Sequence, residues 1–139
     1  MSLSDFTEEE WLEYDEHAAF YYSNIINSLI LFSMTTVELD KLAAPTFNPL
    51  SELESEIDYA FLPVCFETVF RNNFILNCFK QPLLDFKAAT DRISADIWDW
   101  QFIDTHTTWV GIRAQAYNLL KLLKIESRAY NDEFVKVIL

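Results

Sequence analysis

Glycine is nearly absent. Gly111 is the only one in 139 residues, where an average chain of this length carries about ten. Tight hairpins, phosphate-cradling loops and dinucleotide fingerprints all need glycine where the backbone turns left-handed or nears a ligand. The shortage argues against β-hairpin folds, P-loop enzymes and Rossmann enzymes together. Cysteine is scarce too. Cys65 and Cys78 are too few for a disulfide framework or a four-thiolate zinc site. Both lie among phenylalanines, so buried, reduced, inert thiols are expected. Basic residues are missing from one half. Residues 1–67 hold fourteen acids and one base, Lys41, a balance of −13. Residues 68–139 hold eight acids and nine Lys or Arg, a balance of +1, which completes the net −12. Phosphate would be repelled by the first half, so nucleic acid is not an expected partner.

No basic, apolar, small-residue leader opens the chain, and a cytoplasmic location is expected. The stretch Ala18 to Val37 is twenty residues without a charge, long enough to span a bilayer. Ser23, Asn24, Asn27, Ser28, Ser33, Thr35 and Thr36 interrupt it, and no Lys or Arg precedes Lys41 to orient it. A buried helix is expected there, not a membrane span.

What is abundant is apolar and aromatic surface. Apolar residues make up 51% and aromatics 16%, with twelve Phe, six Tyr and four Trp. That suits one folded domain over residues 1–139, with ring packing dominating its core.

The chain is organised around Phe6 to Phe32. Thr7 and Glu10 make a capping box, and Phe6 with Trp11 makes a hydrophobic staple. One helix is expected from Glu8 to Phe32. Trp11, Ala18, Tyr22, Ile25, Leu29 and Phe32 repeat at steps of three and four, with Asp15 the one polar interruption. Its second half is apolar almost all round, with an uncharged strip at Ser23, Asn24, Asn27 and Ser28. Such a helix is central, with its amides bonded to neighbours, or it faces another subunit.

Thr35 and Glu38 repeat the box, with Met34 and Leu39 as staple, so a short helix restarts there. Pro45 and Pro49 mark a linker from Ala44 to Leu50. Ser51 and Glu54 form a third box, and Pro63 ends or kinks the helix that follows. Val64 to Phe79 reads as helix, and Lys80-Gln81-Pro82 as a break. Leu83 to Phe102 reads as helix, Asp104 to Thr108 as a turn, and Trp109 to Ile125 as helix. Gly111 inside it signals a close helix contact or a late start. Asn131 and Asp132 can cap a last short helix, Glu133 to Leu139. The expectation is an all-α, single-domain, up-and-down bundle of six to seven helices with no substantial β-sheet.

Four constellations bear on chemistry. Glu13 and His17, four apart, could join Asp104 and His106 around a divalent metal if the helices meet. A di-iron bundle site needs Glu-x-x-His pairs, and the chain has none. Glu13 and Glu16, with Asp96 and Asp99, distantly match the paired carboxylates of helical nucleotide pyrophosphatases. Trp98 and Trp100, two apart on a helix, cannot both point inward, so one is a candidate interface anchor, unless a wide core or a crevice between helices takes both, which is the favoured reading. Glu8, Glu9, Glu13 and Glu16 on the first helix, and Glu52, Glu54, Glu56 and Asp58 further on, form two acidic clusters.

Acidic surfaces of this kind neutralise basic partners, because charge speeds encounter and fixes orientation. The plainer reading is that these acids satisfy helix dipoles and keep an aromatic-rich chain in solution. The leading expectation is a non-catalytic, cofactor-free module that binds a basic protein, of the immunity or antitoxin kind. The alternatives are a metal-dependent hydrolase resembling the nucleotide pyrophosphatases, and a structural homodimer joined through the apolar strip of the first helix.

Overall fold

Side-chain caps set five of the eight helix starts among the described residues. In the computed structural model, which describes residues 5–43 and 48–125, Thr7 Oγ1 accepts from the Glu10 N–H at 3.2 Å and Glu10 Oε1 accepts from the Thr7 N–H at 3.2 Å. The Phe6 and Trp11 rings meet edge to face at 5.4 Å. The second box forms the same way between Thr35 and Glu38. Among the described residues there are eight α-helices and no strand. They are α1 (Glu8–Asp15), α2 (Ala18–Phe32), α3 (Thr36–Asp40), α4 (Pro49–Ala60), α5 (Pro63–Arg71), α6 (Lys80–Asp91), α7 (Trp100–Ile103) and α8 (Thr107–Leu122). Short 3₁₀ turns occupy Asn77–Phe79 and Ala95–Ile97. The all-α expectation holds. The last short helix, Glu133 to Leu139, lies outside the described residues.

The count exceeds six or seven because two long periodic stretches are divided. The expected helix from Glu8 to Phe32 breaks at Glu16 and His17, where His17 leaves the helical region at φ −107°, ψ 14°. The expected helix from Leu83 to Phe102 breaks after Asp91. Ser94 there caps the 3₁₀ turn through the Asp96 N–H, and Asp99 caps α7 through the Gln101 N–H. Short polar side chains that look like a solvated face instead compete for the backbone.

Other boundaries shift for equally local reasons. α4 starts at Pro49, with Asn48 as cap, so the Ser51–Glu54 box falls inside the helix. Pro82 sits in the first turn of α6, where its missing N–H would have had no helical partner. The expected break is therefore a beginning. α5 stops at Arg71 because Asn73 turns left-handed, at φ 60°. The Asn73 N–H then bonds the Phe70 carbonyl, and the Phe74 N–H the Val69 carbonyl, both at 3.1 Å. This is the Schellman closure, and asparagine is the next best residue to glycine for it. Gly111 marks neither a close contact nor a late start: it lies inside α8, and a Cβ there would meet nothing within 4 Å.

α2 is the hub. It packs most extensively on α4, then on α5 and α8, while α1 lies on α5 and α6 on α8. Eleven of its fifteen residues are buried. Ile25, Leu29 and Leu31 are fully enclosed, each contributing about 1.5–3 kcal/mol of burial. At its C-terminal end Phe32 meets Phe86 at 5.7 Å, Trp109 at 6.3 Å and Trp98 at 6.4 Å. The uncharged strip is mostly enclosed by the chain itself: Asn24, Asn27 and Ser28 are buried and Ser23 is half-buried. The face that could have met a second subunit is used internally. Bonding of its amides is incomplete, since Asn24 Nδ2 has no partner among the described residues. No helix among the described residues is long and apolar enough to cross a membrane.

Candidate interaction surface

α1 carries its carboxylates outward. Glu8, Glu9, Glu13 and Glu16 are all exposed, and no salt bridge reaches any of them within the described residues. Glu10 is turned back to its cap. Asp15 is the exception, and it explains the polar interruption. Its carboxylate receives Arg71 Nη2 at 3.1 Å and Asn72 Nδ2 at 2.8 Å. The Arg71 hydrogen bond holds the Asp15 pKa below the usual carboxylate range, against the opposing effect of burial. The same guanidinium lies 4.5 Å from the centroid of the Trp11 ring, a cation–π contact. One arginine thus clamps α1 to α5 by its single apolar edge. The outward acids border a recess of about 470 Å³ lined by Glu10, Glu13, Tyr14, Glu16, His17 and Tyr21.

The second acidic cluster is not one surface. Residues two apart on a helix point in divergent directions, and Glu56 is buried, 5% exposed, beside Ile57 and Ala60. It is therefore removed from the set. Glu52 is half-buried, while Glu54 and Asp58, four apart, face solvent. Across from them stands Asp91 of α6. Lys87 Nζ bridges the two elements, bonding Asp58 at 3.2 Å and also Asp91. Burial alone would lower the Lys87 pKa, but the two carboxylates outweigh it and raise the pKa. Between α4 and α6 lies a cleft of about 400 Å³ lined by Glu54, Ile57, Asp58, Thr90, Asp91, Ile93, Ala95 and Trp98.

Four of the nine cations of the second half are paired within the described residues. Arg71 pairs with Asp15, Lys80 with Glu67, Lys87 with Asp58 and Asp91, and Arg113 approaches Asp104 at 4.0 Å. Three of these four reach acids of the first half, yet none reaches the outer row of α1.

The metal candidates are not brought together. Glu13 and His17 sit before the start of α2, whereas Asp104 takes the N–H of Thr36, beyond its end, at 2.9 Å. The fifteen residues of α2 put roughly 20 Å between the pairs. The Thr36 hydroxyl also donates to Asp104, at 2.5 Å, and this bond, with that of the Thr36 N–H, holds the Asp104 pKa low. His106 is the cap of α8, its Nδ1 accepting from the Thr108 N–H at 3.1 Å. Asp99 caps α7, so it is not a free partner for Asp96. No group of three or more His, Cys, Asp or Glu among the described residues is arranged to hold a metal.

The thiols differ from each other. Cys65 is buried, and that burial pushes its pKa up to about 11, against a hydrogen bond with Tyr21. Cys78 is exposed, because α5 ends at Arg71 and never carries it onto the expected inner face. Trp98 and Trp100 are both half-buried. Trp98 Nε1–H donates to the Leu50 carbonyl at 3.2 Å and its ring meets Trp109 at 5.1 Å. Trp98 lies just past the 3₁₀ turn and Trp100 in α7, so the argument from one shared helix does not apply.

Sequence reasoning missed the α4–α6 cleft. Its legible signal was the pair Lys87 and Asp91, four apart on one helix; the pairing with Asp58 needed the tertiary contact. Comparison with protein-family models, with curated proteins and with solved structures gives no match.

Proposed function

We propose that this protein is a non-catalytic binding module that recognises a basic protein through the outer row of α1, in the manner of proteins that neutralise a cationic partner. One observation carries the reading: Glu8, Glu9, Glu13 and Glu16 are exposed and make no salt bridge among the described residues, while Arg71 of the neighbouring helix is committed to Asp15. Acids serving only the helix dipole are needed in the first turn, where Glu8 and Glu9 lie. Glu13 and Glu16 fall at the other end of α1, where the dipole disfavours them. Their placement costs local stability, which a role in encounter and orientation would justify.

The test is affinity capture from the native source with the intact protein as bait. A basic protein should be retained at low salt and released as ionic strength rises through the range where surface charges are screened. The triple substitution Glu8→Lys, Glu9→Lys, Glu13→Lys should abolish retention. Undiminished capture by that variant would overturn the proposal.

A further inference from the structure

We infer that the cleft between α4 and α6 is a docking groove for a short basic, amphipathic segment of that partner: aliphatic side chains lie along Ile57, Ile93 and Trp98, and a cation meets Glu54 beside the Asp58 and Asp91 carboxylates that hold Lys87. The inference rests on the proposed recognition of a basic protein and adds a second, chemically different contact to it.

The groove has two chemistries. Its floor is apolar and belongs to the core, with Ile57 at 2% and Ile93 at 8% exposure. Its rim sets three carboxylates against one ammonium, that of Lys87. The rim already performs the proposed recognition inside the chain, because Lys87 Nζ is held between Asp58 and Asp91. Glu54, one turn before Asp58, is exposed and has no salt bridge among the described residues. It is the carboxylate left to receive an incoming cation.

The occupant follows from complementarity. An anionic segment would be repelled by the rim. A purely apolar one would strip water from carboxylates and leave them unpaired. A small hydrophilic cation would leave the floor unused. A lysine or arginine flanked by aliphatic residues satisfies both parts. The wall is also preformed: the Trp98 indole is fixed by its bond to the Leu50 carbonyl and by its packing on Trp109 and Phe32. Little ordering cost then falls on binding.

The probe is a capped Leu-Lys-Leu-Lys peptide, titrated into the full chain and followed by amide and indole N–H resonances. Shifts should centre on the Trp98 indole and on residues 90–95. Glu54→Gln should weaken binding about fivefold, the scale of one exposed charge pair. Ala95→Trp, at an exposed position of the lining, should fill the groove and abolish binding. A capped Gly-Lys-Gly-Lys peptide should bind more weakly, and Leu-Glu-Leu-Glu should not bind. The inference is overturned by shifts centred on α1, by equal binding of the two lysine peptides, or by no response at millimolar peptide. The two readings fail separately. If Glu8→Lys, Glu9→Lys, Glu13→Lys abolishes capture of the basic protein while Ala95→Trp leaves it intact, the α1 surface stands and the groove falls.

Discussion

α1 and α2 are separated by two residues, Glu16 and His17, and share one continuous apolar spacing, yet they belong to different parts of the protein. α1 buries none of its residues, and three of its eight are glutamates in the first turn. α2 carries no charge and buries eleven of fifteen residues. The spacing shows where apolar groups recur but not how much protein lies beyond them. α2 has helices on three sides. Among the described residues α1 packs mainly on α5, where Arg71 and Asn72 hold Asp15. A helix held so lightly can present charge without putting the core at risk, and under the proposed function stability and recognition would divide at His17.

The sharpest way to break that division is to truncate the hub. Leu29, fully enclosed in α2, should lose about 2–5 kcal/mol as Leu29→Ala, mostly through the cavity left behind. Denaturant melts should show a lower midpoint for the whole chain, since α4, α5 and α8 all pack on α2. A loss under 1 kcal/mol would mean that α2 is not the centre of one cooperative unit.

The clamp comes next. Arg71→Ala removes the ion pair with Asp15 and the contact with Trp11. The pair is part-exposed, so the local cost should be about 1 kcal/mol. It should appear as faster hydrogen exchange across α1 with α2 unchanged. Acid should do the same. Asp15 is held low in the folded state, so its contribution is complete above the ordinary carboxylate pKa, near 4, and is lost as pH falls through the depressed folded value. Protection of α1 should therefore fall below about pH 4, ahead of the core, and Arg71→Ala should erase that step. Simultaneous loss of α1 and α2 in acid would show that the two are one unit.

Gly111→Ala has the opposite sign. With open space at the Cβ position, alanine should stabilise α8 by roughly 0.5–1 kcal/mol through helix propensity alone. Because α8 packs on α2, the gain should register in the global melting midpoint. A gain confined to local exchange within α8 would place that helix with α1 instead.

How far the fold was legible depended on the range of the forces that set it. Two capping boxes, the staple at Phe6 and Trp11, and the enclosed character of α2 were readable, because each depends on residues within a turn or on sustained spacing. The helix breaks at His17 and after Asp91 were not. Spacing continues across them, and Ser94 and Asp99, which start the new elements after the second break, look like any solvated face until their side chains are seen on backbone N–H groups. The two-residue alternation at Glu52, Glu54, Glu56 and Asp58 suggested a single patch, and helical rotation takes Glu56 inside. At the candidate surface the charge imbalance was plain from composition. Which acids remain unpaired was not, because Arg71 and Lys87 find Asp15 and Asp58 only across the fold, 56 and 29 positions away.

The smallest expected effect is the most direct control on the comparison. Leu12 in α1 is 58% exposed, so Leu12→Ala removes the same atoms as Leu29→Ala from a place where water already reaches them. The transfer loss is slight, no cavity forms, and alanine is the better helix former. Stability should change by about 0.5 kcal/mol or less. Binding of the basic partner should survive as well, since Glu8, Glu9, Glu13 and Glu16 are untouched. A loss of binding without a loss of stability would show that the partner reads an apolar group on α1 alongside the charges, and recognition there would resemble that inferred for the groove between α4 and α6.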